Sequence, residues 1–400
     1  MENLSGERAR EARSALPPVL DWLLRVPQLP VWSERELERL LERAGVRLDG
    51  PEPWDPQIRD RRTFEAILRK GTLGAGEAYM AGWWDCERID ELFARLIRRA
   101  GVTEASFAPL SNAALEVPAR LLNLQGRLRA RRAIATHYEI GNDLFEAMLD
   151  ARMIYSCAWW EGAETLDEAQ EAKLERICRK LQLARGERLL DVGCGWGGLA
   201  QYAAERHGVE VVGITLSPAQ AEMAKRRCAG LPVEIRVQDY RSVRGRFDKI
   251  VSVGMLEHVG PRNYRTFFRV LHRCLADDGL ALVHTIGNNL SRLRTDRWLS
   301  TYIFPDAVLP SARQLSTAWE GLFVMEDWQN FGVHYDRTLL AWHANVERAW
   351  PGLPRYDETF RRMWRYYLLS CAGTFRARMN QLWQIVLSKR GVEGGYRAIR

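Results

Sequence analysis

Several absences bound the reading before any motif is considered. No uninterrupted apolar run among the 400 residues reaches the roughly 20 that a helix needs to cross a bilayer, so any dealing with lipid is expected from outside the membrane. The first residues mix Glu7 and Glu11 with Arg8, Arg10 and Arg13 and lack the apolar stretch of a secretory signal, which points to a cytosolic chain. The seven cysteines (86, 157, 178, 194, 228, 274 and 371) form no C-x-x-C pair and are odd in number. Neither a zinc site nor a disulfide framework is therefore expected, and no metal is assigned. Repeats of solenoid or propeller period and low-complexity tracts are missing too. Neither sign of charge dominates: 58 basic and 51 acidic residues leave a net +7, which favours an anionic partner without the blocky basicity of a histone-like binder. On charge alone nucleic acid and anionic lipid both stay open; a nucleic-acid enzyme would need a basic groove interleaved with aromatics, and the motifs below favour lipid and no nucleic acid. What is plentiful is tryptophan, with 15 residues, a side chain suited to core and to surfaces that are apolar on one side and wet on the other.

The chain reads as two unlike parts. Residues 1–32, with Pro17, Pro18, Pro27 and Pro30, read as a loosely held arm. Residues 33–117 read as a small, mostly helical domain. Ser33 and Glu36 form a capping box ahead of Leu37, Leu40 and Leu41, and further helices are expected over Thr63–Lys70 and Ile89–Arg99, separated by a glycine-punctuated turn at Gly71, Gly74 and Gly76. Residues 118–135 form a basic linker whose Arg120, Arg127, Arg129, Arg131 and Arg132 have no acid among them. Such a segment suits an anionic bilayer surface or a solvated linker helix.

Residues 136–400 change character. Apolar runs at Arg188–Cys194, Val209–Thr215, Val233–Val237, Lys249–Val253 and Leu280–Ile286 alternate with helical patterns such as Pro218–Cys228 and Arg262–Leu275. This is the signature of a doubly wound α/β fold, with a Rossmann-like parallel sheet that binds ligands at the carboxyl ends of its strands. Trp383–Leu387 is expected to add a late edge strand.

Asp191-Val-Gly193-Cys-Gly195-Trp-Gly197-Gly198 lies where a first strand meets a first helix, and its glycines let backbone amides approach a ligand. Read literally, Gly193, Gly195 and Gly198 satisfy the dinucleotide fingerprint. A dinucleotide site also wants an acid at the end of the second strand, and here that strand ends Gly213-Ile-Thr215-Leu216-Ser217. Acids stand instead at Asp191 and, after the third strand, at Asp239. That distribution resembles S-adenosylmethionine-dependent methyltransferases of class I.

Longer words narrow the resemblance. His137-Tyr138-Glu-Ile-Gly141-Asn142-Asp143, Tyr155-Ser156-Cys157-Ala158-Trp159-Trp160, Ser252-Val-Gly254-Met-Leu-Glu257-His258-Val259-Gly260-Pro261, His284-Thr285-Ile286-Gly287 and Cys371-Ala-Gly373-Thr-Phe375-Arg376 are similar to those of cyclopropane-fatty-acyl-phospholipid synthases. The segment from Gly71 to Trp84 resembles the small domain of the full-length bacterial enzymes, while Met1–Val31 lies outside the match. The resemblance implies transfer of a methylene group from S-adenosylmethionine to a cis double bond in a phospholipid acyl chain. It implies a carbocation that loses its proton to a bound bicarbonate ion, and a peripheral place on the inner membrane surface. A sister reaction ending in a methyl branch or a methylene group is the alternative.

The resemblance further implies a bicarbonate cradle of Cys157, Glu257, His284, Ile286 through its backbone, and Tyr335. Cofactor contacts carry over to Tyr155, Ser156, the loop Leu189, Leu190, Asp191, Val192, Gly193, Cys194, Gly195, Trp196 and Gly197, the run Thr215, Leu216, Ser217 and Gln220, and Asp239, Tyr240 and Arg241. At the last two the wider family often shows Trp-Glu. Cys371 has been credited with a catalytic role in the family, yet an alkene is not an electrophile and offers a thiolate nothing to attack. Its alternative is a small buried residue on the aromatic helix Trp364–Phe375. Trp298, Tyr302, Ile303, Phe304 and Trp319 fall in an insertion after the fifth strand, where they could line an acyl tunnel or complete the core. The small domain could also mediate a homodimer.

Overall fold

The computed structural model describes residues 34–102 and 141–400. The arm, the Ser33 cap and the basic segment 118–135 lie outside the described residues.

The C-terminal part is built on a seven-stranded sheet of order β5-β4-β3-β6-β7-β9-β8. Its strands are β3 (Arg188–Val192), β4 (Glu210–Thr215), β5 (Val233–Val237), β6 (Phe247–Val253), β7 (Leu275–Asn288), β8 (Val324–Asn330) and β9 (Asn380–Ser388). The first five run parallel, and β9 is antiparallel to both β7 and β8. Helices α7 (Gly198–His207) and α8 (Pro218–Arg227) return the chain between the first three strands, and α9 (Tyr264–Cys274) links β6 to β7. Covered on both faces, the central strands read as continuous apolar runs, as parallel strands do. This is the class I methyltransferase form of the doubly wound α/β fold.

Two expectations are corrected. The strand at Trp383–Leu387 is not an edge: β9 is buried at all nine positions, clasped between β7 and β8. The edge is β8, whose sequence VMEDWQN is half-exposed and carries no apolar run. The glycines at 71–76 do not punctuate a turn alone. Gly71, at φ 63°, ends α2 (Arg62–Lys70), and Gly74 and Gly76 lie inside α3 (Thr72–Met80). A Cβ on Gly74 would stand 1.9 Å from the Ala66 carbonyl oxygen and one on Gly76 2.2 Å from the Trp298 ring, so both glycines serve close packing.

The N-terminal unit comprises α1 (Glu34–Ala44), α2, α3, α4 (Ile89–Ala100) and a two-residue ribbon of β1 (Gln57–Ile58) with β2 (Trp84–Asp85). It packs on α13 (Glu358–Arg376). Arg362 of that helix donates to the carbonyls of Tyr79 and Trp84 at 2.6 and 2.8 Å. Arg376 pairs with the buried Asp90 at 2.6 Å and with Asp336 at 2.9 Å. Gly373 lets α4 approach so closely that a Cβ there would sit 2.5 Å from the Asp90 carbonyl oxygen.

Candidate active site

At the carboxyl end of β3 the chain turns through Gly193, Gly195 and Gly197, at φ of 91°, 53° and 84°, a region that glycine enters without steric cost. Gly198 then opens α7; a Cβ there would lie 2.4 Å from the Arg152 carbonyl oxygen, so the segment leading to Tyr155 is pressed against the helix start. Above this loop is a cavity lined by Tyr155, Ser156, Asp191, Gly193, Cys194, Gly195, Trp196, Thr215, Leu216, Gln220, Tyr240 and Arg241, all expected at the cofactor. Leu189, Leu190, Val192, Gly197, Ser217 and Asp239 are not among its lining residues. The strand residues Leu189, Leu190 and Val192 fill the core. Ser217 caps α8, accepting from the amide of Gln220 at 3.3 Å, and Asp239 holds Arg241 by an ion pair of 3.0 Å.

The cavity also holds residues the sequence reading did not assign, Lys173 above all. It lies fully buried on α6 (Leu166–Lys180), and its Nζ donates to the Ser156 hydroxyl at 3.0 Å. Burial presses its pKa down to about 8 against the pull of Asp150, Cys157 and Asp191. Asp191 is pushed up to about 7 by burial, with Lys173 opposing, and its Oδ2 has no hydrogen-bond partner. The readable signal was a Gln and a Lys, Gln170 and Lys173, on the otherwise apolar stripe of Leu166, Ala169, Leu174 and Ile177.

A second cavity adjoins the first and shares Tyr155, Ser156, Gly254 and His258 with it. It brings together Glu257 from the turn after β6, His284 and Ile286 from β7, Tyr335 from the first turn of α12 (Val333–Ala349), and Cys371 from α13. The Ile286 amide donates to Glu257 Oε1 at 2.6 Å, and Glu257 Oε2 is unpartnered. Burial pushes the Glu257 carboxyl up to about 7, the Ile286 amide pulling the other way. His284 Nδ1 faces Gln384 Nε2 at 3.3 Å and its Nε2 is unpartnered; burial holds the ring neutral. Around them stand Tyr335, tilted on Phe375 at 4.6 Å, and Phe304, edge-on to Tyr367 at 5.6 Å. The Tyr155 and Tyr367 hydroxyls meet at 2.7 Å.

Cys157 does not line this cavity: its side chain is wholly buried, and its thiol, pushed up by desolvation, donates to the Ala158 carbonyl at 3.3 Å. Cys371 faces both this cavity and a third one.

That third cavity, of about 180 Å³, lies between the N-terminal unit and the sheet part, walled by Leu37, Leu40, Phe64, Leu92, Leu96, Trp298 and Tyr366 among others. It shares Thr295, Leu299, Leu309, Cys371 and Asn380 with the second. Of the insertion aromatics, Trp298 lines the apolar cavity and Phe304 the second one, while Trp319 packs edge-on to Phe268 and Trp328 in the core beyond both.

A glycine cradle, an orphaned carboxylate oxygen and a lysine beside an apolar channel fit a cationic nucleoside with an amino-acid tail. Comparison with known proteins agrees: the family model for mycolic acid cyclopropane synthetase matches residues 125–385. The chain belongs to this family. It is 50% identical over 367 residues to cyclopropane-fatty-acyl-phospholipid synthase of Escherichia coli K12, covering 92% of this chain and 96% of that protein. It is 32% identical over 392 residues to tuberculostearic acid methyltransferase UfaA1 of Mycobacterium tuberculosis, covering 88% of each. The crystal structure of mycolic acid cyclopropane synthase CmaA1 with S-adenosylhomocysteine and CTAB matches with a TM-score of 0.61 at 32% identity, over 65% of this chain and 98% of that one. The enzyme is an S-adenosylmethionine-dependent methyltransferase that cyclopropanates lipid. No helix among the described residues is long and apolar enough to cross a membrane.

Proposed function

We propose that the enzyme acts on the cis double bond of an unsaturated acyl chain in a membrane phospholipid, through a carbocation on that chain whose proton passes to a bound bicarbonate ion. The observation that carries this reading is the shared walls of the three cavities. Tyr155 and Ser156 join the cofactor cavity to the Glu257–His284 cavity, and Thr295, Leu299 and Cys371 join that one to the apolar cavity. An alkene lying across the second cavity has the cofactor on one side and an apolar run for its tail on the other.

S-Adenosylmethionine, when bound, supplies an electrophilic methyl group. Everything else falls to the protein. The rings of Tyr155, Phe304, Tyr335 and Tyr367 offer electron-rich surroundings to positive charge developing on the acyl chain. Their bulk keeps out the water that would otherwise hydrate the cation. Loss of one proton from the new methyl group lets its electron pair close the ring, and a cation this acidic asks for a base that is well placed rather than strong.

Glu257, His284 and Tyr335 suit an anion in that place. Near neutrality Glu257 retains a proton that Oε2 can donate; His284 offers Nε2–H and Tyr335 its hydroxyl. Bicarbonate is the anion of choice because it accepts these donors while keeping an oxygen for the substrate proton. The cradle is assigned to Glu257, His284, Tyr335 and the backbone around Ile286, without Cys157. The enzyme works peripherally at the cytoplasmic face of the membrane.

The test incubates the protein with S-adenosylmethionine and vesicles of a mono-unsaturated phospholipid and analyses the fatty esters by mass spectrometry and proton NMR. Gain of CH2, loss of olefinic protons and new cyclopropyl resonances are expected, with the rate falling in carbonate-depleted buffer. Gain of CH2 without the ring would replace this reading by a branching reaction, and indifference to carbonate would remove bicarbonate from it.

A further inference from the structure

The middle of β9, Leu382-Trp383-Gln384-Ile385-Val386-Leu387, is an apolar run broken by one amide. Gln384 is 1% exposed, and a buried amide is costly unless it is hydrogen-bonded, so packing alone does not account for it: Met or Leu would fill the same space. The register supplies the reason. Gln384 stands opposite His284 of β7 on one side and opposite Gln329 of β8 on the other, so the three side chains form a row on one face of the sheet. Gln384 lines none of the three cavities. Its Nε2 lies 3.3 Å from His284 Nδ1, and its Oε1 has no hydrogen-bond partner.

The charges around the row choose between the two ways an amide can face. At the β8 end, Gln329 Oε1 accepts from Lys180 Nζ at 2.6 Å and from Arg176 at 3.3 Å, both on α6. Lys180 is fully buried and lies 3.7 Å from Asp327, which Arg400 grips at 2.6 and 2.8 Å. With cations at the β8 end, the Gln384 carbonyl is favoured pointing away from His284 and its NH2 toward it. At the β7 end, the His284 ring is set edge-on to Phe331 at 5.6 Å and lines the second cavity, where its Nε2 is unpartnered. Burial, with Lys173 and Lys180 acting in the same direction, keeps the ring neutral. A neutral imidazole has one N–H to offer, and the partner of one nitrogen decides what the other presents.

We propose that Gln384 is a positioning residue for His284: it donates to Nδ1 and so holds the imidazole in the tautomer that presents Nε2–H to the anion in the second cavity. The proposal rests on the reading that this cavity holds the anionic base. It gives the buried amide of β9 a task in the reaction although it touches neither substrate nor cofactor.

The test uses the full-length enzyme labelled with 15N-histidine, with the ring resonances of His284 identified by their loss in His284→Gln. Proton-bearing and bare ring nitrogens differ in 15N shift, and the wild type is expected to show Nε2 protonated and Nδ1 bare. Gln384→Met removes the donor; His284 is expected to become a mixture of tautomers, and kcat for ring formation to fall about tenfold or more. Gln384→Glu puts an acceptor where the amide donated; it is expected to draw the proton to Nδ1 and to lower kcat further than Gln384→Met, although it is the closer match in shape, an order that a packing role would reverse. Unchanged calorimetric affinity for S-adenosylhomocysteine certifies that each variant is folded. A wild-type spectrum with the proton on Nδ1, or folded variants with the wild-type tautomer and kcat, would overturn the proposal, and the wild-type spectrum decides even where a variant does not fold. If the tautomer shifts in the variants as expected while wild-type turnover is indifferent to carbonate, the bicarbonate reading fails and the role of Gln384 stands.

Discussion

Glu257 gives the sharpest test, because its chemistry and its cost to the fold are linked through one proton. Its folded pKa stands near 7 against 4.5 for the free side chain, with burial as the cause. At about 1.4 kcal/mol per unit, ionising it in place costs the folded protein about 3 kcal/mol. Between pH 4.5 and 7 the folded state keeps a proton that the unfolded chain gives up, so this group makes stability fall as pH rises, the reverse of a salt-bridged carboxylate. Glu257→Gln retains the acceptor for the Ile286 amide and replaces the orphaned Oε2 by a permanent donor. Lys173, His258, His284 and Asp191 have pH dependences of their own, but these cancel in the difference between variant and wild type. Measured from pH 5 to pH 8, the variant should gain about 3 kcal/mol on the wild type, about 4 °C in Tm by scanning calorimetry. In activity, the wild type should lose rate above about pH 7 as Oε2 gives up its proton and repels an anionic base. The variant should run about a hundredfold slower at its best but without that alkaline limb. A stability difference that is flat with pH, or an alkaline limb that survives in the variant, would refute the assignment.

Other substitutions probe the remaining walls. Lys173→Met removes the cation beside Ser156 and Asp191 and should weaken S-adenosylhomocysteine binding about 10- to 100-fold by calorimetry; undiminished affinity would exclude Lys173 from the cofactor site. Gly198→Ala drives a Cβ to 2.4 Å from the Arg152 carbonyl and 2.5 Å from Ile154, and a lower Tm with weakened cofactor binding is expected. Ala75→Phe narrows the apolar cavity and should move substrate preference toward shorter acyl chains in a competition assay, without loss of cofactor affinity. Cys371→Ser should keep most of the ring-forming rate, since the thiol has no electrophile to attack; abolished turnover in a folded variant would give it a chemical role.

The sequence displays most clearly what is buried on both faces. Strands β3, β4, β6 and β7 appear as apolar runs because helices cover the central sheet on both sides, and the glycine loop appears because four glycines in six residues are rare outside a tight turn. What stays hidden is spatial order and sidedness. Nothing in Asn380–Ser388 says that it inserts between β7 and β8, since pairing across the sheet is set by helices α12 and α13 returning the chain. The polar VMEDWQN of β8 looks like a loop because an edge strand need not be apolar. Gly74 and Gly76 read as turn residues because their partners, the Ala66 carbonyl and Trp298, are contacts a linear chain does not announce. The family resemblance found Glu257, His284, Ile286 and Tyr335, which converge on one cavity from three elements, but missed Lys173, which carries no word of its own and is betrayed only by facing the wrong way on an amphipathic helix.

The two parts of the chain together enclose the apolar cavity. The catalytic sheet by itself supplies the glycine cradle and the Glu257–His284 pair, but one wall of the apolar cavity comes from α1, α2 and α4. For the carbocation proposed above, that wall would keep water away from the reacting carbons. The N-terminal unit is accordingly fixed rather than tethered: Arg376 joins the buried Asp90 and Glu91 of α4 to Asp336, next to Tyr335 at the head of α12. The same helix α13 lines the second cavity with Tyr367 and Cys371 and the apolar cavity with Tyr366 and Ser370. Arg376 thus ties the N-terminal unit to the first turn of α12, which carries Tyr335 into the second cavity.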